Sequence, residues 1–355
     1  MARRDIVVIG ASAGGVEPLV HLSRLLPADL PAALLVVLHV PPHGSVLPRL
    51  LARAGRLPGR HAEQGQTIEQ GRFYVAPPDH HLLVRPNGTI HLGRGATENG
   101  HRPAIDPMFR SAARAFGPRV IGMVLSGSLD DGTAGLLAVK LSGGLALVQD
   151  PAEALHSSMP ASALENVEVD AVGSVDELAR RLVELVGQPT DSAEGAMATE
   201  LEETGDEVAS PEDGTPALAE AELHGATPSA FTCPDCSGVL WELREKHLVR
   251  YRCRVGHAYL PRALTAAQAE RVEESLWIAL RTLRESSALS KRLAERARER
   301  RMLQVAATYD ARVAEASRRA EVIEDVLRRG RLSTGLEDAI SAEVEQEPAG
   351  DAAER

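Results

Sequence analysis

The sequence predicts an α/β fold: a doubly wound, mostly parallel sheet with helices on both faces, followed by a small zinc-ribbon-like module and a C-terminal α-helical hairpin or coiled coil. Strand-like apolar runs alternate with helical patterns over residues 5–187. Runs that are apolar throughout are typical of parallel strands covered on both faces. Farther along, cysteines and a histidine are spaced like metal ligands, and helically spaced apolar residues follow them.

The α/β part is expected to contain strands and helices in alternation. The predicted strands are Ile6–Gly10, Leu34–Val40, Phe73–Ala76, Ile121–Ser126, Ala146–Gln149 and Val167–Val172. The helical patterns cover residues 15–26, 45–54, 107–116, 133–141 and 174–186. Asp106 before Pro107 predicts an N-cap followed by proline at the first helical position, and Ser174 with Glu177 predicts a capping box. Asn87-Gly88 between two short apolar runs predicts a hairpin at the sheet edge.

The rest of the chain divides by composition. Every formally charged residue between Gln188 and Gly225 is acidic, and such a segment cannot bury a core. We therefore expect an α/β domain over residues 1–187, an acidic disordered linker over 188–230, the cysteine module over 231–260, a helical hairpin or coiled coil over 261–330, which offers a route to a homodimer, and a disordered tail over 331–355.

Composition excludes several classes of protein. The formal net charge of −11 and the isoelectric point near 5.6 argue against a nucleic-acid partner. No apolar run approaches the roughly 18 residues of a membrane span, so membrane insertion is not expected. Three cysteines cannot form a closed set of disulfides. The cysteine usage favours a reducing compartment, and we predict a cytoplasmic location.

A glycine-rich turn follows the first predicted strand. Gly10-Ala11-Ser12-Ala13-Gly14 fits the G-x-S-x-G nucleophile elbow, in which glycines permit a sharp strand-to-helix turn. The other interpretation is a dinucleotide-binding turn. That fingerprint needs glycine where Ser12 stands and an acidic residue at the end of the second strand, where His39 stands.

A serine nucleophile needs a base and a group that orients the base. Ser12, His39 and Asp131 each lie just beyond the carboxyl end of a predicted parallel strand. Those ends share one edge of an open α/β sheet, so the three side chains can meet. Asp130 and Asp131 could instead be only a turn and helix cap. His43, His80 and His81 are rival bases.

Five segments in this order and spacing resemble the catalytic domain of the chemotaxis receptor methylesterase (CheB) family over about residues 5–187: IGASAGG, LHVPPHG, YVAPPDHH, NGHRPAIDPMF and LSGSLDDGTAG. The resemblance implies that Ser12 is the nucleophile, His39 the base and Asp131, rather than Asp130, the group that orients it. It implies hydrolysis of glutamate methyl esters on chemoreceptors or other methylated signalling proteins, with deamidation of receptor glutamines as a second activity. A methyltransferase that makes those esters is an implied partner.

The chain departs from that family at three places. The typical member has an N-terminal receiver domain, whereas the catalytic pattern here starts at Asp5, so control by phosphorylation of a receiver is not expected within this chain. Ser128 stands where the family has a methionine whose backbone is implicated in the oxyanion site, and Ala13 replaces a threonine. These departures keep open a second interpretation, in which the fold is a catalytically weak scaffold that binds signalling partners.

All three cysteines belong to one set with a histidine. Cys233 and Cys236 form a C-x2-C pair, and Cys253 and His257 form a C-x3-H pair. Two close pairs of such ligands suit tetrahedral zinc. Because the set is complete, we predict a structural Zn²⁺ rather than a catalytic one, and no cofactor for catalysis. The alternative, a redox-active C-x-x-C, lacks a βαβ context.

Overall fold

The computed structural model describes residues 2–39, 44–190 and 226–329, and the chain divides into two compact units that separate between Leu264 and Thr265. The strands are β1 (Ile6–Ala11), β2 (Ala33–Leu38), β3 (Gly59–His61), β4 (Arg72–Val75), β5 (His81–Val84), β6 (Ile90–Gly93), β7 (Val120–Val124), β8 (Leu145–Gln149), β9 (Ala171–Gly173), β10 (Thr227–Thr232), β11 (Val239–Glu245), β12 (Leu248–Cys253) and β13 (Ala258–Tyr259). The α-helices are α1 (Val16–Leu25), α2 (Leu47–Ala54), α3 (Ile105–Phe116), α4 (Thr133–Leu141), α5 (Ser158–Asn166), α6 (Val175–Leu185), α7 (Pro261–Glu299) and α8 (Leu303–Arg329).

Seven strands form one sheet in the order β3-β4-β2-β1-β7-β8-β9, and every pair in it is parallel. This confirms the predicted parallel α/β core. Strand β1 is central, with β2 on one side and β7 on the other. The chain order therefore reverses direction across β1, and ligands of open α/β sheets bind at such a point, beyond the carboxyl ends of the strands.

Alternate residues of each central strand face opposite sides of the sheet. In β1, Val7 and Ile9 pack with helices α1, α2 and α6, whereas Ile6 and Val8 pack with α3, α4 and α5. Because both faces are covered, the central strands are apolar throughout, which is the pattern that predicted them. Leu248 and Leu260, from the region of the cysteine module, belong to the core on the side of α3, α4 and α5.

The elements differ from the prediction in several details. Helix α3 begins at Ile105 with Ala104 at the N-cap, so Asp106 lies inside the first turn and is not the cap. The Asn87-Gly88 hairpin exists, but β5 and β6 form a separate two-stranded sheet rather than the edge of the main one. The last strand of the main sheet is only Ala171–Gly173, and β3 and α5 had no counterpart in the prediction. The capping box of Ser174 and Glu177 is confirmed at the start of α6.

The cysteine module is a four-stranded antiparallel sheet in the order β10-β11-β12-β13, and it begins at Thr227, a few residues earlier than predicted. Two tight turns carry its metal-ligand candidates. In the first, the Ser237 amide donates to the Cys233 carbonyl at 2.8 Å. In the second, the Gly256 amide donates to the Cys253 carbonyl at 3.0 Å, and Gly256 has a φ of +109°.

Helices α7 and α8 pair in an antiparallel hairpin. The contacts that show this are Ser287 with Ser317, Arg284 with Glu324 and Arg298 with Asp310, in which one residue number rises as the other falls. Small residues line the seam, including the buried Ala294, Ala316 and Ala320. None of the described helices has the length and hydropathy needed to cross a bilayer. Most of the predicted linker and the whole predicted tail lie outside the described residues.

Candidate active site

Ser12 and His39 follow two adjacent strands. The last pair in the register of β1 and β2 joins Ala11 to Leu38, so the residues that come next in each strand leave the sheet side by side. Asp131 arrives from the opposite side of β1, on the loop between β7 and α4. The parallel topology thus brings together residues that are more than a hundred positions apart in the sequence.

The three side chains form a continuous hydrogen-bonded series. Oγ of Ser12 lies 2.9 Å from Nδ1 of His39, and Nε2 of His39 lies 2.7 Å from Oδ2 of Asp131. Because a carboxylate only accepts, Nε2 of His39 carries the proton and Nδ1 is left to accept from the serine hydroxyl. The His39 side chain is 7% exposed and that of Asp131 is 2% exposed, so the imidazole and the carboxylate interact away from bulk water.

The carboxylate of Asp131 has several other donors. Its Oδ2 also accepts from the amide of Ile105 at 2.7 Å, and its Oδ1 accepts from Nδ2 of Asn99 at 2.9 Å. The amides of Asp106 and Gly132 donate to Oδ1 as well. Burial alone would raise the pKa of Asp131. The hydrogen bond and charge of His39 and the Ile105 amide outweigh that effect and hold the pKa well below its usual range, so this carboxyl is ionised at neutral pH.

A second buried carboxyl lies beside the first. Asp106 accepts from the Gly135 amide at 2.6 Å and from Nδ2 of Asn99 at 3.1 Å. Burial, and then the negative charge of Asp131, raise the pKa of Asp106 well above its usual value. The pKa values of the two carboxyls are therefore shifted in opposite directions, and Asp131 is the one that keeps its charge toward His39.

Glycines make room around the serine. Gly14 has a φ of +65°, a left-handed conformation that glycine adopts without strain. At Gly127, an added Cβ would lie 2.5 Å from Cε of Met159 and 2.9 Å from Cβ of Ser12. The loop after β7 therefore passes directly against the serine, and this places Ser128, one residue farther on, beside the turn.

The amide of Ser12 is already used. It donates to the carbonyl of Ser126 at 3.0 Å and so ties the serine turn to the loop after β7. This amide is therefore engaged in the fold and is not free to donate to a ligand.

His101 is a site residue that the sequence analysis did not include. Its ring stacks on that of His39, with centroids 3.7 Å apart and planes inclined by 18°. Burial, and to a lesser extent the charge of His39, lowers the pKa of His101 to about 4. The His101 ring is therefore neutral at neutral pH. His101 stands in the NGHRPAIDPMF segment that carries the family resemblance, but the sequence does not indicate that its ring packs on His39.

The rival residues lie elsewhere. His80 contacts the Pro78 carbonyl through Nδ1, and Nε2 of His81 contacts the Ala96 carbonyl at 3.0 Å. His43 lies outside the described residues. Asp130 faces away from His39, since its carboxyl accepts from the amides of Arg262 and Ala263 at 2.8 and 3.1 Å. Burial raises the pKa of Asp130 to about 7.

The four metal-ligand candidates converge. One ligand atom from each of Cys233, Cys236, Cys253 and His257 lies within 4.8 Å of all the others. The Sγ atoms of Cys236 and Cys253 are 3.6 Å apart, and Nδ1 of His257 lies 3.6 and 3.5 Å from Sγ of Cys233 and of Cys253. Zinc–sulfur bonds of about 2.3 Å in a tetrahedron imply sulfur–sulfur edges of about 3.8 Å. The arrangement therefore fits a tetrahedral metal ion.

The two buried thiols of this cluster have opposite pKa shifts, since the hydrogen bond with Cys253 and then burial raise the pKa of Cys233. Hydrogen bonding from Cys233, with further hydrogen bonds from His257 and Cys236, lowers the pKa of Cys253 against the opposing effect of burial. A lowered thiol pKa favours the thiolate, which is the form that binds metal.

Comparison with known proteins gives matches over the α/β part of the chain. A family model described as CheB methylesterase matches residues 7–182. A protein-glutamate methylesterase/protein-glutamine glutaminase 2 from Methanosarcina mazei is 36% identical over 192 residues, which are 52% of this chain and 52% of that protein. A protein of the same name from Anaeromyxobacter dehalogenans is 40% identical over 185 residues, with coverage of 52% and 54%.

Two further matches are covered almost completely. A relative from Leptospira interrogans is 35% identical over 182 residues, which are 51% of this chain and 94% of that protein. The crystal structure of the Thermotoga maritima CheB methylesterase catalytic domain is 33% identical and covers 52% of this chain and 100% of that one, with a TM-score of 0.49. The chain spans about half the length of the Methanosarcina and Anaeromyxobacter relatives.

Proposed function

Because the chain belongs to the CheB methylesterase family, we propose that it is a serine hydrolase that removes methyl esters from glutamate side chains of chemoreceptors or other methylated signalling proteins. The observation that carries this proposal is the unbroken series from Oγ of Ser12 through His39 to Asp131, with contacts of 2.9 and 2.7 Å. The methyltransferase that makes such esters is the partner that this reaction requires.

The proposed reaction begins with Ser12 as nucleophile and His39 as base. Nδ1 of His39 takes the hydroxyl proton while Oγ attacks the ester carbonyl. The ionised Asp131 accepts from Nε2 throughout, so it keeps the tautomer and stabilises the imidazolium that forms. Collapse of the tetrahedral intermediate breaks the bond to the methoxy oxygen, which leaves as methanol with the proton from His39.

Water then completes the cycle. His39 removes a proton from a water molecule as it attacks the acyl-serine, and the same proton returns to Oγ of Ser12 when glutamate leaves. A glutamine side chain would enter the same sequence with ammonia as the leaving group. Deamidation is therefore the second activity of the proposed site.

The test uses the full chain and a methylated peptide from a receptor signalling helix. We expect methanol release from the wild type and covalent labelling of Ser12 by a serine-reactive phosphonate. Ser12→Ala should lose both, whereas Ser142→Ala, at the distant C-terminus of α4, should keep both. Full turnover in Ser12→Ala would overturn the assigned nucleophile. Phosphonate labelling without hydrolysis of the methylated peptide would overturn the assigned substrate.

For the cysteine module we infer a structural Zn²⁺ held by Cys233, Cys236, Cys253 and His257. The support is the close approach of all four ligand atoms, which leaves no coordination position for a substrate. Metal analysis should find one zinc per chain in the wild type and substantially less in Cys236→Ser. A wild-type chain without metal, and with three thiols that react freely with a disulfide reagent, would remove this inference.

We also propose that the helical hairpin joins two copies of the chain. Several large apolar side chains are exposed on it, including Ile278 at 56%, Leu289 at 59% and Val322 at 66%. A second hairpin would remove this surface from water. Sedimentation should give a dimer for the wild type and a monomer for Ile278→Glu combined with Val322→Glu, and an unchanged mass for the double variant would refute the proposal.

A further inference from the structure

The segment that follows His257 lies against the loop that leads into the candidate active site. Glu98 and Ala258 form a bridge, and the amide of Asn99 donates to the Ala258 carbonyl at 2.7 Å. In return, the Ala258 amide donates to the Thr97 carbonyl at 3.3 Å. The strand that closes the cysteine module is therefore paired with the residues just before His101.

Asn99 connects this pairing to the catalytic carboxylate. Its side-chain Oδ1 accepts from the amide of Leu260 at 2.8 Å, while its Nδ2 donates to Asp131 at 2.9 Å and to Asp106 at 3.1 Å. Asn99 is 6% exposed, so these contacts are not replaced by bulk water. The side chain thus bridges a backbone amide of residue 260 and both buried carboxyls.

The Leu260 amide determines which way the Asn99 amide points. Because the Leu260 amide is a donor, the Asn99 atom that faces it must be the acceptor Oδ1. The two N–H bonds of Nδ2 then point toward Asp106 and Asp131. If the amide were reversed, Oδ1 would face two carboxyls and Nδ2 would face an N–H. Without Leu260 in place, the side chain loses the contact that holds it in this orientation.

A second tether lies one residue from Asp131. The carboxyl of Asp130 accepts from the amides of Arg262 and Ala263, in the first turn of α7. Arg262 also forms an ion pair with Glu165 at 2.8 Å. Residues 258–263 are therefore connected to Asp131 in two ways. Leu260 donates to Asn99, whose side chain donates to Asp131, and the first turn of α7 donates to the neighbouring residue Asp130.

We propose that Asn99 is a positioning residue for the hydrolysis, and that the Cys3His site controls it by holding residues 258–260 in place. This inference rests on the proposed function. Metal ligation by Cys253 and His257 would fix the turn between them, whose Cys253 amide donates to the His257 carbonyl at 3.0 Å. Ala258 follows His257 directly, so a fixed His257 also holds β13, the strand that pairs with the backbone of Asn99. Loss of metal would release this strand, since binding and folding of such modules are coupled.

The size of the effect follows from the bond that is lost. Hydrogen bonds to charged groups contribute about 1.5–3 kcal/mol. Removing the Asn99 donor from Asp131 should thus lower kcat by roughly 10- to 100-fold, at about 1.36 kcal/mol for each factor of ten. The acid limb of the kcat/KM profile should move to higher pH, because the carboxylate that faces Nε2 of His39 has lost a compensating donor. A purely structural role for Asn99 would reduce the amount of active enzyme without moving that limb.

The first test compares Asn99→Gly with Asn99→Asp in the full chain. Asn99 has a φ of +50°, which glycine and aspartate tolerate, so neither variant strains the backbone. Glycine removes the side chain, whereas aspartate keeps the acceptor for Leu260 but loses the donor. Both should lower kcat per phosphonate-titrated site and move the acid limb, while the surface variant Asn87→Asp should do neither. Wild-type values in Asn99→Gly would overturn the inference.

The second test asks whether the metal site acts through Asn99. Cys236→Ser or chelation should lower zinc content, speed hydrogen exchange at the Leu260 amide and reduce kcat, and added Zn²⁺ should reverse the effects of chelation. In a double-mutant cycle, Cys236→Ser should cost little further activity in the Asn99→Gly background. If the two losses multiply, or if the metal-free chain retains full kcat, the coupling is refuted.

Failure of the proposed function gives a different result. In that case the wild type would hydrolyse no ester and Ser12 would not react with the phosphonate. A wild type that works beside an Asn99→Gly variant of equal kcat and unchanged pH profile would refute only the positioning role. Should Cys236→Ser fail to fold, chelation of the wild type followed by addition of Zn²⁺ decides the same question.

Discussion

The ring of His101 stacks on the ring of His39 at a centroid distance of 3.7 Å, nearly parallel to it. His39 is thereby restrained in two ways: by hydrogen bonds at its edges to Ser12 and Asp131, and by a flat neighbour on one face. In the proposed reaction, these hydrogen bonds set the direction of the proton transfers. The stack limits rotation of the imidazole out of that plane.

This arrangement predicts that the shape of residue 101 matters more than its ability to titrate. His101→Phe should retain ester hydrolysis within a few-fold, since a neutral aromatic ring still packs on His39. His101→Ala should lower kcat by about 10-fold or more, because small misplacements of catalytic groups are costly. Steady-state kinetics with both variants decide the matter, with exposed His21→Ala as the control. Equal losses in the alanine and phenylalanine variants would instead assign a chemical role to the His101 nitrogens.

The low pKa of His101 also predicts a pH dependence of stability. In the unfolded chain the His101 imidazole has its ordinary pKa of 6.5, whereas in the folded protein its pKa is about 4. The unfolded state therefore binds more protons between these values, and the contribution of His101 to stability is lost as the pH falls through that window. The difference in free energy of unfolding between wild type and His101→Phe should shrink or reverse from about pH 7 to about pH 4.5. Denaturant titrations at several pH values measure it, and a constant difference would contradict the prediction.

Gly127 is predicted to be intolerant of any side chain. In Gly127→Ala the new Cβ would overlap Met159 and press on Ser12. We expect a loss of about 1–3 kcal/mol in free energy of unfolding and slower phosphonate labelling of Ser12. Gly95→Ala is the matched control, because nothing lies within 4 Å of the position of its Cβ. Labelling and stability equal to those of the wild type in Gly127→Ala would show that the two loops can separate freely.

Asp131→Asn should be among the most damaging conservative substitutions in the chain. The amide would bring N–H groups toward donors that now point at a carboxylate, and the tautomer of His39 would no longer be enforced. A fall in kcat of about 10⁴-fold is typical when the orienting aspartate of a Ser-His-Asp triad is neutralised. Asp170→Asn, which alters a carboxylate paired with Lys140 on the surface, should leave kcat unchanged. Comparable rates for the two variants would remove Asp131 from the proposed mechanism.

Much of this arrangement could be predicted from local sequence pattern. Apolar runs gave the parallel strands, and the rule that ligands bind at their carboxyl ends selected Ser12, His39 and Asp131 from far-separated segments. The prediction failed where local preference is weak. Helix α5 contains Pro160 in its first turn and serines that favour caps and turns, so its periodicity was not detected. Helix α3 began one residue before the expected cap because Ala104 takes the extended N-cap conformation.

The choice between Asp130 and Asp131 could not come from residue type. Both are aspartates in the same loop, and only the resemblance to a family favoured the second. In the structure, Asp130 faces the start of α7, 132 residues away in the chain. The stack of His101 and the bridge from Asn99 to Leu260 likewise depend on long-range packing that carries no periodic signal.

The contacts of Asn99 and Asp130 have a consequence for how the chain can be divided. The sequence pattern of the α/β domain ends at residue 187. A fragment cut there would remove the amide donors of Asn99 Oδ1 and of the Asp130 carboxyl. It would also expose the apolar surface that Leu248 and Leu260 now cover. Buried acceptors without donors and newly exposed apolar surface both lower the free energy of unfolding. An excised α/β half is therefore expected to have a lower free energy of unfolding than the same residues in the intact protein.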